Sequence, residues 1–358
     1  MGQAQYLREV PTHMGFLDDL ELGRGYFDGI ASVEGGFLVS GWMLLPDKEL
    51  GSLRVYWNRE LLGSADVVTR QDVANAFRWI PHANRSGFSF LFPKPIAETT
   101  RVGRFDLLGC QDGRPTARMS TLFRADLDTA VPTPPQELMS MVAATRDAWF
   151  FKIGGLKSFG EFLDPICRHR ELRSVRRLLD WGCGCGRVAV HFLSEPDVAE
   201  VFGCDVHQEA IQWCGENLRP GKFSRIEPWP PTPYEDAAFD VALGISVFTH
   251  LARDVQNAWL AEMRRIIAPG GLFLASTHGQ FATRFEFPET FAQLLRDGIF
   301  DGVHDPSLGG IFPKGYYLNV YQTREYTLRE WSKYFEILEY IERGYGNHQD
   351  LVVMRRPA

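Results

Sequence analysis

Leu178-Leu-Asp-Trp-Gly-Cys-Gly-Cys-Gly-Arg-Val188 is the stretch whose reading decides the fold. The run RRLLDW is apolar enough for a buried parallel strand, and GRVAVHFL opens a helix directly behind it. Glycines at 182, 184 and 186 occupy the turn between them. Such a turn needs residues that accept tight backbone conformations and leave no side chain between the chain and a nucleotide-like ligand. EVFGCDV is the next strand and ends on Asp205, where a carboxylate can accept hydrogen bonds from both hydroxyls of a ribose.

Downstream the alternation continues. HQEAIQWCGENL reads as a helix and AFDVALGIS as a strand. NAWLAEMRRIIAPGG reads as a helix stopped by Pro269 and Gly270, and LFLAST as the strand after it. LREWSKYF is a final helix, and EILEYIER and DLVVMRR are two strands joined by a turn around Tyr345 to His348. Upstream, helical periodicity covers Pro135 to Thr145 and Ser158 to His169, split by Ile153-Gly154-Gly155. Before that stands Val131-Pro-Thr-Pro-Pro135, which cannot continue a strand. Phe37 to Leu45, Leu53 to Leu61, Phe88 to Phe92 and Val102 to Leu108 read as strands, with a short helix near Val73 to Phe77. Gly35-Gly36, Pro46-Asp47, Asn84 to Gly87 and Asp112-Gly113 mark turns among them. The expected architecture is a small all-β sandwich over 24–130, a linker with helices capping the ligand site over 131–174, and an α/β Rossmann-like domain over 175–358.

Composition narrows the function classes. Hydrophobic residues make up 45% and charged residues 23%, which fits a globular rather than a disordered chain. A net charge of -7 gives no general attraction to nucleic acid, and no apolar run is long enough for a bilayer span. The N-terminus carries no pattern of a secretory signal, so a cytoplasmic location is expected. The 6 cysteines are too sparse for a secreted disulfide scaffold. Cys183 and Cys185 have no second closely spaced pair to complete a four-ligand metal site, so no metal is expected.

The loop and Asp205 alone leave a dinucleotide site and an S-adenosylmethionine site both open. The third glycine comes one residue earlier than in G-x-G-x-x-G, a poor match to the dinucleotide fingerprint. LLDWGCGCGR resembles the first motif of the class I S-adenosylmethionine-dependent methyltransferases. PPTPYEDAAFDVALGISVFTHL resembles their segment entering the fourth strand, and MRRIIAPGGLFLAST their turn before the fifth. The resemblance covers residues 146–280. It implies a seven-stranded mixed sheet with an antiparallel last strand, and S-adenosylmethionine as cofactor. Carried over, Asp180 orders the loop and approaches the methionine ammonium. Gly182, Cys183, Gly184 and Gly186 form the turn that admits the cofactor, Asp205 binds the ribose, and Val206 packs near the adenine. Trp229 falls at the adenine edge, and Ile245 and Ser246 lie near the methionine portion. NPPY, the signature of enzymes that methylate nucleic-acid amino groups, is absent. Gly244-Ile-Ser-Val stands in its place, which speaks against nucleic acid as substrate.

A hydroxyl acceptor would gain from a base at the reacting oxygen. His278, beyond the fifth strand, is the preferred candidate; His250 is the second, and a structural role competes for each. Residues 283–322 form an expected substrate-side insertion, in which Tyr316, Tyr317, Tyr321 and Gln322 are candidate acceptor contacts. Phe151, Lys152 and Arg187 are further contacts without an assigned role. GYFDGIASVEGGFLVSGWML, VYWNRELLG, RQDVANAF and SGFSFLF are similar to small β modules beside methyltransferases and glycosyltransferases of bacterial surface-polysaccharide pathways. That likeness implies O-methylation of a sugar or surface-glycan precursor, with Trp42, Trp57 or Trp79 able to stack on sugar rings. A small-metabolite methyltransferase that uses the module for assembly, a non-catalytic interaction scaffold and a nicotinamide dehydrogenase stay open. So does homodimerisation.

Overall fold

The computed structural model describes residues 21–358 except 23, 46, 59, 94–101, 112–113, 125–126, 284–287 and 305–315. The turns expected at Pro46 and at Asp112-Gly113, and part of the 283–322 insertion, lie outside the described residues. The chain forms two compact units. One comprises residues to Thr133 with Asp147–Lys157, and the other Pro134–Arg146 with Ser158–Ala358. The stretch 131–174 is divided between the two units.

The first unit contains β1 (Glu21–Leu22), β2 (Arg24–Val33), β3 (Gly36–Leu44), β4 (Ser52–Trp57), β5 (Glu60–Val68), α1 (Gln71–Ala76), β6 (Gly87–Pro93), β7 (Val102–Gln111), β8 (Arg114–Arg124) and α2 (Leu127–Ala130). Its strands form one sheet in the order β1-β8-β7-β4-β5-β6-β3-β2. β5 pairs with β4 through Leu53↔Ala65 and passes on to β6 through Asp66↔Ser89. Phe27 of β2 and Phe105 of β7 sit far apart in strand order, yet their rings stack at 6.4 Å, so the sheet folds over a common core. Trp57 lies at its centre, 4.7 Å from both Phe92 and Phe105. Gly103 makes room for it, since a Cβ there would sit 2.0 Å from the indole. Trp57 is therefore core, not a stacking platform. Trp42 is buried as well, and Trp79 is 57% exposed.

One sequence expectation changes here for a local reason. Leu53 to Leu61 is not one strand but the two arms of a hairpin. Asn58 turns the chain at φ 46°, a left-handed conformation that asparagine tolerates better than most residues. Its side-chain oxygen also accepts the Arg104 N–H at 2.9 Å.

The helix α4 (Ala148–His169) follows α3 (Gln136–Ala143) and runs unbroken through Gly154-Gly155, against the expected split. Glycine costs a helix about 1 kcal/mol per residue, and the buried Phe151, Ile153, Leu156, Phe159, Phe162 and Leu163 on both sides outweigh that.

In the second unit come β9 (Arg177–Trp181), α5 (Ala189–Leu193), β10 (Glu200–Asp205), α6 (Gln208–Asn217), β11 (Lys222–Arg225), β12 (Phe239–Gly244), α7 (Arg253–Ile266) and β13 (Ile267–Thr277). They are followed by α8 (Gln280–Thr283), α9 (Pro288–Asp297), β14 (Ile299–His304), β15 (Leu318–Gln322), α10 (Arg324–Trp331), β16 (Glu336–Tyr345) and β17 (Gln349–Arg355). Seven strands form the sheet β11-β10-β9-β12-β13-β17-β16, parallel from β11 to β13, with β17 antiparallel to both its neighbours. β14 and β15 make a separate two-stranded sheet. α7 ends at Ile266, before Pro269. The Pro-Gly-Gly is absorbed into β13 as an irregularity, across which pairing moves from Phe239↔Ile267 to Val241↔Leu272. Strand order reverses between β9 and β12, and ligands bind open α/β sheets at the carboxyl edge of such a switch point.

Candidate ligand cavity at the carboxyl edge of the sheet

A cavity of about 830 Å³ opens at that edge, walled by the ends of β9, β10 and β12 and by α3. The glycine loop forms its floor. Gly182, Gly184 and Gly186 have φ of 74°, 52° and 70°, in the left-handed region. A Cβ on Gly182 would lie 2.5 Å from Val247 Cγ2, and one on Gly184 2.5 Å from Val142 Cγ2 of α3. Bare backbone at Gly184 thus lets α3 seat on the loop. Gly186 does not line the cavity. Its missing Cβ leaves space for Leu218 Cδ1, which would otherwise be 2.3 Å away, so it serves the packing beneath the loop.

Asp205 ends β10 and is tied into the loop. One carboxylate oxygen accepts the Gly184 N–H at 2.8 Å and the other the His207 N–H at 2.9 Å. Burial raises its pKa, and those two N–H groups oppose the rise. Asp180, at the end of β9, is 2% exposed, and burial pushes its pKa up to about 7. The Ala189 N–H and the Arg187 charge act in the opposite direction. The thiols beneath the loop are held neutral: Cys185 is pushed up to about 12 by burial, and Cys183 well upward by the neighbouring Cys214 thiol and burial. Among the described residues no group of three or more His, Cys, Asp or Glu is placed to hold a metal.

Ile245, Ser246 and Val247 line the cavity after β12. Ser246 is held at φ 56° by Ser276 Oγ, which accepts its N–H at 2.8 Å, and by the Gln349 side-chain amide, which donates to its Oγ at 2.8 Å. His250 lines the same wall and stacks on Tyr317 with ring centres 4.0 Å apart. Its Nδ1 is 3.0 Å from the Leu318 carbonyl. A carbonyl only accepts, so Nδ1 carries the hydrogen and the neutral ring has its lone pair on Nε2.

His278 repeats this arrangement one step along β15, with Nδ1 3.2 Å from the Val320 carbonyl and its ring 4.9 Å from Tyr321. It is not on the cavity lining, and neither are Tyr321 and Gln322. Gln322 is fully buried and donates to Thr327 Oγ1 at 2.8 Å. Strand β15 therefore separates the candidates by register. Tyr316 and Tyr317, just before it, face the cavity together with His250, while Tyr321 and Gln322 at its far end, and His278 beside them, do not. Trp229 is half-exposed and meets Tyr316 edge-on at 5.3 Å instead of lining the cavity. Tyr316 accepts from Trp259 Nε1 at 3.2 Å and donates to the Pro228 carbonyl. Phe151 and Lys152 belong to the other compact unit.

The sequence expectation of helices over the ligand site named none of their residues; Glu137, Ser140, Met141, Val142, Ala143, Ala144 and Arg146 all line the cavity. No motif marks them, because their role follows from where α3 lands.

Residues 178–271 match the family model described as a methyltransferase domain. An uncharacterized methyltransferase of Schizosaccharomyces pombe is 30% identical over 112 residues, 28% of this chain and 40% of the relative. The ubiquinone biosynthesis O-methyltransferase of Cereibacter sphaeroides is 31% identical over 137 residues, 36% of this chain and 52% of the relative. The chain thus spans about half, or less, of the length of the curated relatives it matches. Among solved structures, a methyltransferase of Methanosarcina mazei is 20% identical with a TM-score of 0.41, covering 54% of this chain and 97% of that one. A methyltransferase of Mesorhizobium loti is 15% identical with a TM-score of 0.40, covering 55% and 98%.

Proposed function

We propose that this chain, whose C-terminal domain is a class I S-adenosylmethionine-dependent methyltransferase domain, transfers a methyl group to a hydroxyl of a sugar or surface-glycan precursor. The observation that carries the methyl-transfer reading is the pinning of Asp205 to Gly184 at the switch point of the sheet. A carboxylate has about four lone-pair sites, and two backbone N–H bonds leave capacity for two ribose hydroxyls. Val206, Ile226 and Pro228 supply an apolar wall for a base beside it. The bare glycine backbone and the buried Asp180 complete a donor set that fits the cofactor. When bound, the cofactor's sulfonium supplies the activated methyl group.

This chain's own residues then have two tasks. The first is to hold the acceptor in line while excluding water, which the α3 roof and Tyr317 favour. The second is to take the acceptor proton, for which His250 Nε2 is oriented by the Leu318 carbonyl. We assign the base to His250 in preference to His278, on cavity access. Oxygen as acceptor atom is supported by the name of the Cereibacter relative. The sugar is supported by the likeness of the N-terminal module, read as a β-sandwich module, to those of polysaccharide pathways.

The test is calorimetric titration with S-adenosylmethionine and S-adenosylhomocysteine against NAD as control, followed by labelled methyl transfer onto sugars and small hydroxyl acceptors. Saturable binding of the first two and label in a sugar support the reading. Binding of NAD alone rejects it, and label only in small metabolites moves the substrate class.

Asp180 implies a pH dependence. Below about pH 7 its carboxyl is neutral, and pairing with the cofactor's ammonium requires loss of that proton. S-adenosylhomocysteine affinity should therefore rise towards pH 7. D180N should flatten the acidic limb, measured by calorimetry from pH 5.5 to 8.5, roughly 1.5 units either side of neutrality. A flat acidic limb in the unaltered chain would exclude this role.

A further inference from the structure

We infer that Arg187 holds the carboxylate of the cofactor's methionyl end and that Tyr345, the last residue of β16, positions it. The inference rests on the cofactor reading above and names the residue that would meet the cofactor's carboxylate, to which that reading assigns no contact. A ligand with an α-amino acid end brings a carboxylate as well as an ammonium. A carboxylate taken out of water without a partner costs several kcal/mol, roughly.

Arg187 is the first residue after the glycine loop and lines the same cavity as Asp180. The two present opposite charges to one end of the cavity, the complement of a zwitterion. Its Nη2 donates to Tyr345 Oη at 3.0 Å, and the same hydroxyl accepts from Ser158 Oγ at 3.3 Å. A guanidinium has five N–H donors in a planar fork, so one bond to a tyrosine is compatible with a bidentate grip on a carboxylate.

The turn that follows Tyr345 is itself anchored. The Gly346 N–H donates to Glu161 at 3.1 Å, and Gln349 holds Ser246. The hairpin thus reaches the cavity wall at two places, Arg187 and Ser246, and fixes both from behind. Arg146 also lines the cavity but is exposed, and it belongs to the roof segment rather than the loop.

The experiment compares two ligands on the full chain by calorimetry: S-adenosylhomocysteine and 5′-methylthioadenosine, which lacks the amino-acid end. R187A should weaken S-adenosylhomocysteine by about 10- to 100-fold, the worth of a charge-assisted hydrogen bond. It should leave methylthioadenosine within about twofold, and that binding also reports that the variant is folded. R187K, which keeps the charge without the fork, should recover part of the loss. Y345F should weaken S-adenosylhomocysteine by a smaller factor and leave methylthioadenosine unchanged. Equal weakening of both ligands by R187A, or no weakening of either, overturns the inference while the cofactor reading stands. Failure of the unaltered chain to bind S-adenosylhomocysteine overturns both. If R187A does not fold, R187K and Y345F decide by the same ligand comparison.

Discussion

D205A is expected to weaken S-adenosylhomocysteine binding by at least about 100-fold in calorimetry, with the fold retained. Hydrogen bonds to a charged group contribute about 1.5–3 kcal/mol each, and two ribose hydroxyls would lose their acceptor together. The same substitution also releases the Gly184 and His207 N–H groups from their 2.8 and 2.9 Å bonds, loosening the loop that forms the cavity floor. D205N keeps one acceptor oxygen and should fall between the two. If D205A bound S-adenosylhomocysteine as well as the unaltered chain, the ligand would have to sit elsewhere, and the assignments along the glycine loop would go with it.

Once a hydroxyl acceptor has been found by labelled transfer, H250A should lower kcat by about 100- to 10,000-fold, the usual range for loss of a general base. S-adenosylhomocysteine affinity should stay within about twofold, because no cofactor contact is assigned to the ring. The expectation rests on a tautomer set by geometry: Nδ1 is committed to the Leu318 carbonyl, and stacking on Tyr317 holds the ring plane. H278A is the informative companion, because His278 is set in the same way by the Val320 carbonyl but lies off the cavity lining. Loss of turnover in H278A with normal turnover in H250A would return the base to His278.

Much of the C-terminal unit was legible in the residue pattern. The strand–glycine–helix run at 178–188, the acid at 205 and the alternation that follows are local signals, and local signals survive folding when burial agrees with them. The boundaries that slipped did so where a tertiary term outweighed a local one. Buried flanks carried α4 through Gly154-Gly155. Pairing of Ile267 with Phe239 and of Leu272 with Val241 and Arg355 encloses Pro269-Gly270-Gly271 within β13 as an irregularity. In the first unit, β2, β5 and β8 were not read as separate strands. In β8 the buried Ala117 and Met119 alternate with Arg118 and Ser120, but Thr121 to Arg124 are all buried, so the period is broken and the signal weak without knowledge of the sheet they pair with.

The sequence by itself determined the α/β architecture of the C-terminal domain, the glycine loop and the acid that closes it, because these depend on backbone freedom and strand ends within a short span. Only the tertiary structure decided which histidine faces the cavity. The sequence favours His278 over His250, and the register of β15 separates them by placing Leu318 against His250 and Val320 against His278. The tertiary structure alone set Val142 of α3 against Gly184, and Tyr345 against Arg187, 158 residues apart. Contacts at that separation depend on how sheet, hairpin and roof close together, and no local pattern of residues encodes them.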